Sequence, residues 1–155
     1  MPMISGLEKI KRFKGLGYLA SPFSDKSPVV EEKRYTAILQ ISGLFTISGA
    51  MVISPIVYGY HLYKNYGNIA GDADYWKDFN RYLLYHAPYL MIVMLEGYKD
   101  SKGIQAEFAQ ALTLNKPIFT LELPTDALQL QIKEYEKFKI WVQKPVGLSL
   151  VGGEK

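Results

Sequence analysis

The chain has 155 residues and a mass of 17.6 kDa, the size of one domain with one hydrophobic core. Hydrophobic residues make up 48% and charged residues 21%, which excludes a disordered, collagen-like or coiled-coil chain. Cysteine is absent, which excludes disulfides and metal sites with thiolate ligands. Only two histidines occur, so we do not expect a metal site built mainly from histidines. This composition fits a reducing compartment, and we expect a cytoplasmic protein.

The net charge of +3 lies entirely in the first 17 residues, which hold four basic side chains and one acidic side chain. Because the rest of the chain is neutral and has no basic stripe, we expect no nucleic acid polymer as a partner. Residues 1–16 are interpreted as a basic N-terminal arm with apolar residues at helical spacing: Leu7, Ile10, Phe13 and Leu16. The favoured interpretation is that the arm packs on the body or on a second subunit, and the alternative is a membrane-surface helix.

An uncharged stretch of residues runs between Arg34 and Lys64. It is long enough to span a membrane, but it contains several polar residues and glycines and divides at Gly49 into a helix-like half and a strand-like half. We therefore expect no membrane partner. The helix-like half carries apolar residues on more than one face, which is compatible either with a subunit interface or with burial inside its own domain.

Along the chain, strands alternate with helices. We predict strands over residues 18–21, 51–54, 89–95 and 117–123, and helices over residues 28–49, 74–85, 101–114 and 126–138. The last helix would place Leu128, Ile132 and Tyr135 on its inner face, and a short strand over residues 140–142 is an option. Residues 58–71 have no clear periodicity and are interpreted as an irregular active-site loop or a broken helix.

This alternation predicts a single α/β three-layer domain over residues 17–145, with an open, mainly parallel sheet (Rossmann-like or flavodoxin-like), followed by a tail over residues 146–155. Ligands of such folds bind beyond the carboxyl ends of the strands. Residues 21–27, 54–71, 96–103 and the loop after Leu123 fall at that edge.

A carboxylate lies one turn into the helix that follows the buried strand 89–95. Ser101 and Gly103 at the start of this helix would form an anion site, because free backbone N–H groups and the helix dipole favour negative charge there. Glu107 lies four residues past Gly103, roughly 6 Å along the axis. This resembles the span from a 5′-phosphate to the anomeric carbon of a pentose and suggests N-glycosidic chemistry. The alternative is that Ser101 only caps the helix and Glu107 is solvated.

Five blocks of the sequence carry a resemblance to a known superfamily: residues 18–23 (YLASPF), 54–56 (SPI) with His61 after them, 72–80 (DADYWKDFN), 101–107 (SKGIQAE) and 115–117 (NKP). In this order, each at a strand end, they resemble the nucleoside 2-deoxyribosyltransferase-like superfamily. The closest likeness is to the DUF1937 group of small, often phage or bacterial, proteins. The resemblance covers residues 17 to about 123.

The resemblance implies roles for individual residues. Glu107 matches the nucleophile that attacks the anomeric carbon, Tyr18 matches the residue that holds this carboxylate, and Ser101 matches the position that binds the 5′ end. A serine there is similar to the 2′-deoxynucleoside 5′-phosphate N-hydrolases and favours a 5′-phosphate. The substrate-binding residues predicted with Ser101 are Ser21, Pro22, Phe23, His61, Asp72, Trp76, Gly97 and Gly103.

The likeness breaks at Asn80, which stands where the superfamily has an aspartate that donates a proton to the departing base. An asparagine can hold a base by hydrogen bonds but cannot transfer a proton as a general acid. Asp78 would point about 200° away on a helix, whereas Asp72 or Asp74 could supply the acid from the preceding loop.

The sequence thus predicts an N-glycosyl hydrolase or a deoxyribosyltransferase-like enzyme that acts on a nucleoside 5′-monophosphate through a covalent glycosyl intermediate on Glu107, with Tyr18 and Asn80 at the catalytic centre. This chemistry requires no metal or organic cofactor. The alternative is a catalytically inactive nucleotide-binding protein, a sensor or a sequestering protein, which Asn80 favours. The resemblance also implies a homodimer or larger homo-oligomer whose neighbouring subunit closes the site.

Overall fold

The structure is a computed structural model, and it describes residues 3–67, 73–123 and 129–135. These residues form six strands and five helices, in the order β1 (Met3–Ser5), α1 (Glu8–Lys11), β2 (Gly17–Ala20), α2 (Pro28–Ile47), β3 (Val52–Ile53), α3 (Pro55–Asn65), α4 (Ala73–His86), β4 (Leu90–Val93), α5 (Lys102–Thr113), β5 (Ile118–Glu122) and β6 (Gln129–Glu134). A 3₁₀ turn, Tyr98–Asp100, precedes α5.

The strands form one sheet in the order β1-β6-β5-β4-β2-β3. β3, β2, β4 and β5 are parallel, with Tyr18 beside Leu90 and Leu90 beside Ile118, while β6 runs antiparallel to β5 and parallel to β1. β4 is buried along its whole length, as an apolar strand in the middle of a parallel sheet should be. The predicted α/β domain with a mainly parallel sheet is confirmed.

Alternate side chains of the strands build two apolar clusters, one on each face of the sheet. The α2 face carries Leu19, Met91 and Phe119, packed against Ile38 and Phe45 of α2. The other face, which we call the α4/α5 face, carries Tyr18, Ala20, Leu90, Ile92 and Ile118, packed against Leu84 of α4 and Ile104 and Phe108 of α5. This is the expected three-layer arrangement, and it places Tyr18 on the same side as α5.

The N-terminal segment is an integral part of this domain. Met3–Ser5 forms β1 at the edge of the sheet, and Ile10 of α1 is only 2% exposed in the cluster of the α2 face. Leu7 and Phe13 pack against the same cluster, whereas Leu16 is exposed. The apolar stripe therefore packs on the body, as in the favoured interpretation, but the segment adds a strand and a helical turn that the prediction of an arm did not include.

The predicted helix over residues 126–138 is wrong for the part that the structure describes, because Gln129–Glu134 is strand β6. Leu130 and Ile132 are buried while Gln131 and Lys133 are exposed, which is the period of two of a strand. Gln, Leu, Lys and Glu favour helices on their own, but pairing with β5 and β1 outweighs that preference. The option of a strand over residues 140–142 and the tail over residues 146–155 lie outside the described residues.

The prediction of an irregular loop or broken helix from residue 58 is also wrong over its first half, since Pro55–Asn65 is the continuous helix α3. The side chain of Ser54 accepts a hydrogen bond from the backbone N–H of Val57, and Pro55 occupies the first helical position. Residues 68–71 of the predicted loop lie outside the described residues. Among the helices that the structure describes, none combines the length and apolar character needed to cross a membrane.

Candidate active site

The carboxyl ends of the neighbouring strands β2 and β4 bring two polar loops to one edge of the sheet. The loop after β2 begins at Ser21, and the loop after β4 runs from Met94 to Ser101, the N-cap of α5. The Ser101 side chain accepts a hydrogen bond from the backbone N–H of Ile104 (3.2 Å), so it does cap α5. Its own hydroxyl hydrogen remains able to donate toward a ligand.

Glu107 meets Tyr18 in this site. The Tyr18 hydroxyl donates a hydrogen bond to Oε2 of Glu107, joining the middle of β2 to the second turn of α5. Tyr18 is fully buried and belongs, with Ile104 and Phe108 of α5, to the cluster of the α4/α5 face. Glu107 is thus held at a fixed position on the sheet and is not the solvated helix residue of the alternative interpretation.

Burial changes the acid-base properties of both partners. Loss of solvation raises the pKa of Glu107 to about 7, although the hydrogen bond from Tyr18 lowers it. Burial also raises the pKa of the Tyr18 hydroxyl, and the nearby charge of Glu107 raises it further. Tyr18 therefore stays protonated as a donor at neutral pH, while Glu107 changes its charge near pH 7. A carboxylate poised in this way can act as a nucleophile.

Asn80 lies in the middle of α4 with a buried, unsatisfied side-chain oxygen. Its Oδ1 has no hydrogen-bond partner among the residues that the structure describes. Leu84, one turn later on α4, packs on the α4/α5 face beside Tyr18, and the side chain of Gln110 bonds the backbone oxygen of Arg81 (3.0 Å), which ties α5 to α4 next to Asn80. A buried polar atom without a partner is a candidate contact for a ligand.

The loop after β2 contributes a second such atom. Ser21 is 8% exposed, and its Oγ likewise has no partner within the described part of the chain. Pro22 beside it is buried, and Phe23 is partly buried with its ring 4.8 Å from the ring of Tyr60 on α3. Ser21 and Asn80 are both residues that the sequence assigned to the site, and both leave hydrogen-bonding capacity unused.

Arg34 is a residue of this region that the sequence analysis missed. Its guanidinium group donates to the backbone oxygens of Phe23 (3.2 Å) and Ser24 (2.9 Å) and packs against Gly97. Gly97 has a φ of +92°, and a Cβ there would lie 2.3 Å from Nη2 of Arg34, so only glycine fits. The sequence contains a signal for it, since Arg34 shares a helical face with the apolar residues Val30 and Ala37, four residues before it and three after it.

The remaining predicted site residues show no contact with Tyr18 or Glu107 among the described interactions. His61 is exposed on α3, with Nδ1 3.3 Å from the hydroxyl of Tyr35. Trp76 is partly buried and packs against Phe79 and Tyr58, with ring centroids 5.3 and 6.4 Å away. Gly103 is exposed in the first turn of α5. Asp72 lies outside the described residues, and the side chain of Asp74 is not described.

Within residues 3–67, 73–123 and 129–135, no three His, Asp or Glu side chains come together as ligands for a metal ion. The groups that the structure does assemble are a carboxylate, a phenol, an amide, two serine hydroxyls and several aromatic rings. These groups can form hydrogen bonds with a polar ligand and stack on an aromatic one.

Comparison with known proteins identifies the family of the chain. A search of curated proteins finds no match. The family model described as "Domain of unknown function (DUF1937)" matches residues 15–123, which include both partners of the Tyr18–Glu107 hydrogen bond and the whole of β2 through β5. Since this match covers more than half of the sequence, the chain belongs to the DUF1937 family.

Proposed function

We propose that the protein cleaves or transfers the N-glycosidic bond of a nucleoside or deoxynucleoside 5′-monophosphate, with Glu107 as the nucleophile. The observation that carries the proposal is the partly buried hydrogen bond from Tyr18 to Glu107, which joins β2 to α5. The likeness of the sequence blocks to the nucleoside 2-deoxyribosyltransferase-like superfamily supports the same chemistry. A carboxylate that is held by one hydroxyl and carries a pKa of about 7 is suited to forming and releasing an ester.

In this mechanism, a carboxylate oxygen of Glu107 attacks the anomeric carbon while the bond to the base breaks. Tyr18 holds the other oxygen, which fixes the orientation of the carboxylate through the reaction. Water or an incoming base then attacks the same carbon from the opposite face and releases Glu107. Two displacements at one carbon return the original stereochemistry, as in a retaining glycosidase.

The start of α5 supports a 5′-phosphate as the group that anchors the sugar. Ser101 uses its oxygen to cap the helix, and its hydroxyl hydrogen together with the free N–H groups of the first turn can bind an anion. Glu107 lies six residues after Ser101, the N-cap of the same helix, and four residues after Gly103 in its first turn, which is about 9 Å and about 6 Å along the axis at 1.5 Å per residue. This spacing suits one ligand with a phosphate at one end and an anomeric carbon at the other.

A second candidate function is nucleotide binding without turnover. The buried amide of Asn80 favours it, because an amide can hold a base but cannot protonate it. The two candidates agree on the ligand and differ only in whether the glycosidic bond breaks.

The deciding experiment incubates the purified protein with a panel of ribonucleoside and deoxyribonucleoside 5′-monophosphates and follows the release of free base by chromatography. We expect release by the wild type, none by Glu107→Ala, and undiminished release by Glu134→Ala, which removes an exposed carboxylate from β6. Release that persists in Glu107→Ala would overturn the proposed nucleophile. No release, with a thermal shift by a nucleotide of the same panel, would establish the binding protein.

We also propose that the chain forms a homo-oligomer. On α2, the apolar side chains of Val29, Leu39 and Ile47 are 63%, 44% and 72% exposed, and Met51 after it is 64% exposed. These apolar side chains are interspersed with the exposed polar residues Lys33, Thr36 and Gln40, and such a mixed surface is compatible with a subunit interface. Analytical ultracentrifugation should give at least twice the mass of one chain, and Leu39→Lys with Ile47→Lys should shift the protein toward a monomer. A monomer at micromolar concentration would exclude this proposal.

A further inference from the structure

The buried amide of Asn80 restricts which bases can leave easily. A neutral base departs as an anion unless a proton reaches it, and general acid catalysis of such steps contributes about 10²–10⁴-fold. Asn80 presents an oxygen that only accepts hydrogen bonds and an NH₂ group that holds its protons. Asp78, the carboxylate nearest to it in sequence on α4, is exposed.

Aromatic rings and acceptor oxygens of this region would favour a ligand with a positive charge. Trp76 lies one turn before Asn80 on α4 and forms an aromatic cluster with Phe79 and Tyr58, whose own rings are stacked at 5.4 Å. Aromatic faces attract cationic rings, and carbonyl and carboxylate oxygens do the same. Asn80 Oδ1 and the Glu107 carboxylate supply such oxygens on the α4/α5 face.

On the basis of the proposed function, we propose that the preferred substrate is a nucleotide whose base already carries a positive charge on the ring that bears the sugar. Purine nucleotides alkylated at N7 and pyridinium nucleotides belong to this chemical class. A Glu107 oxygen donates its electron pair to the anomeric carbon, and the pair of the breaking C–N bond neutralises the ring, so the base leaves neutral. Water then attacks the glycosyl ester, Glu107 leaves as a carboxylate, and the proton of the water passes to solvent.

The test compares pairs of substrates that differ only in charge. The probes are 7-methylguanosine 5′-monophosphate and guanosine 5′-monophosphate, each in ribo and 2′-deoxyribo form, with nicotinamide mononucleotide as a second cationic probe. Each rate is divided by the rate with Glu107→Ala, which corrects for the greater intrinsic lability of the methylated nucleotides. We expect this ratio to be at least about tenfold larger for a cationic probe than for the neutral nucleotide.

The variant Asn80→Asp supplies the missing acid with nearly the same shape. It should raise the Glu107-dependent rate on the neutral nucleotide by about tenfold or more and leave the rate on the cationic probe within about threefold. Asp78→Asn, at the exposed neighbouring position, is the matched control and should change neither rate. Should Asn80→Asp fail to fold, as judged by circular dichroism, the wild-type comparison decides alone.

The possible failures are distinguishable. Equal Glu107-dependent cleavage of neutral and cationic nucleotides would overturn the preference while leaving the proposed function intact, and would show that another group supplies the proton. Loss of neutral cleavage in Asp72→Asn or Asp74→Asn would then identify that group. No Glu107-dependent release from any probe would overturn both the proposed function and this inference.

Discussion

At the scale of single residues, Glu107 occupies an environment that opposes its own charge. Burial raises its pKa from an ordinary value of 4.5 to about 7, so the folded protein holds this proton more tightly than the unfolded chain does. The free energy of unfolding must therefore fall as the pH rises from about 4.5 through about 7. A carboxylate that lowers the free energy of unfolding at neutral pH is typical of a functional site, because the stability of the fold does not require it.

This linkage predicts the effect of Glu107→Gln on stability. The amide can still accept the hydrogen bond from Tyr18 but never ionises, so the variant should be more stable than the wild type by about 2–3 kcal/mol at pH 8 and by less than about 1 kcal/mol at pH 5. Urea denaturation at both pH values measures the difference. Glu134→Gln, at an exposed position, should show no such pH-dependent gain, and an equal effect of Glu107→Gln at both pH values would contradict the buried carboxylate.

Tyr18→Phe tests the other half of the pair. The hydroxyl lowers the pKa of Glu107, so its removal should raise this pKa further above 7 and move the rise of base release to higher pH. ¹³C NMR titration of the carboxyl carbon reports the pKa directly, whether or not the protein turns over. Tyr89→Phe removes a buried hydroxyl on the α2 face and serves as the control. An unchanged titration in Tyr18→Phe would show that the hydroxyl has no influence on Glu107.

At the scale of elements, the turn between β4 and α5 depends on one glycine. Gly97→Ala would place a Cβ 2.3 Å from Nη2 of Arg34 in a backbone conformation with φ of +92°, so we expect it to lower the free energy of unfolding by about 1–3 kcal/mol. Gly43→Ala on the exposed side of α2 has open space around it and should be neutral or stabilising by up to about 1 kcal/mol. Thermal denaturation of both variants gives the comparison, and equal effects would show that Arg34 and the backbone adapt freely.

The sequence predicted most elements of the sheet and its helices, because their signals were strong locally. The apolar strand before Glu96 and the Ser-Pro start of α2 each have a single physical interpretation, and the partnership of Tyr18 with Glu107 followed from the resemblance. Strand β6 was missed because Leu128, Ile132 and Tyr135 fit a helix face while Leu130 and Ile132 fit a strand face, and only pairing with β5 decides between the two patterns.

The Tyr18–Glu107 hydrogen bond was predictable, whereas the contacts that support the surrounding loops were not. The position of Arg34 on an apolar face of α2 marks it as unusual, but its bonds to the backbone oxygens of Phe23 and Ser24 leave no motif in the sequence that would identify its partners. The α3 helix shows the same limit, since its Ser54-Pro55 start matches that of α2 but the glycines and tyrosines after it obscure the helical period.

At the scale of the whole molecule, the two faces of the sheet hold different parts of the structure. The α4/α5 face holds Tyr18 and Glu107, while the α2 face is closed at one end by the N-terminal segment through Ile10. The family match begins at residue 15, after this segment. The structure nevertheless shows the segment as part of the core, so the boundary of the matched region differs from the boundary of the folding unit.

Deleting residues 1–14 tests this distinction. The deletion removes β1 from its pairing with β6 and takes Ile10 out of the core, so the free energy of unfolding should fall by at least about 2 kcal/mol, the value of one buried isoleucine. Replacing the exposed Lys9, Lys11 and Lys14 by alanine removes most of the basic charge but none of the apolar contacts, and should change stability little. Urea denaturation should therefore show a lower midpoint for the deletion alone, because apolar packing and not charge fixes the segment. An unchanged midpoint after the deletion would mean that the rest of the sheet is equally stable without β1. A much lower midpoint in the alanine variant would mean that the basic charges, and not the apolar contacts, stabilise the segment.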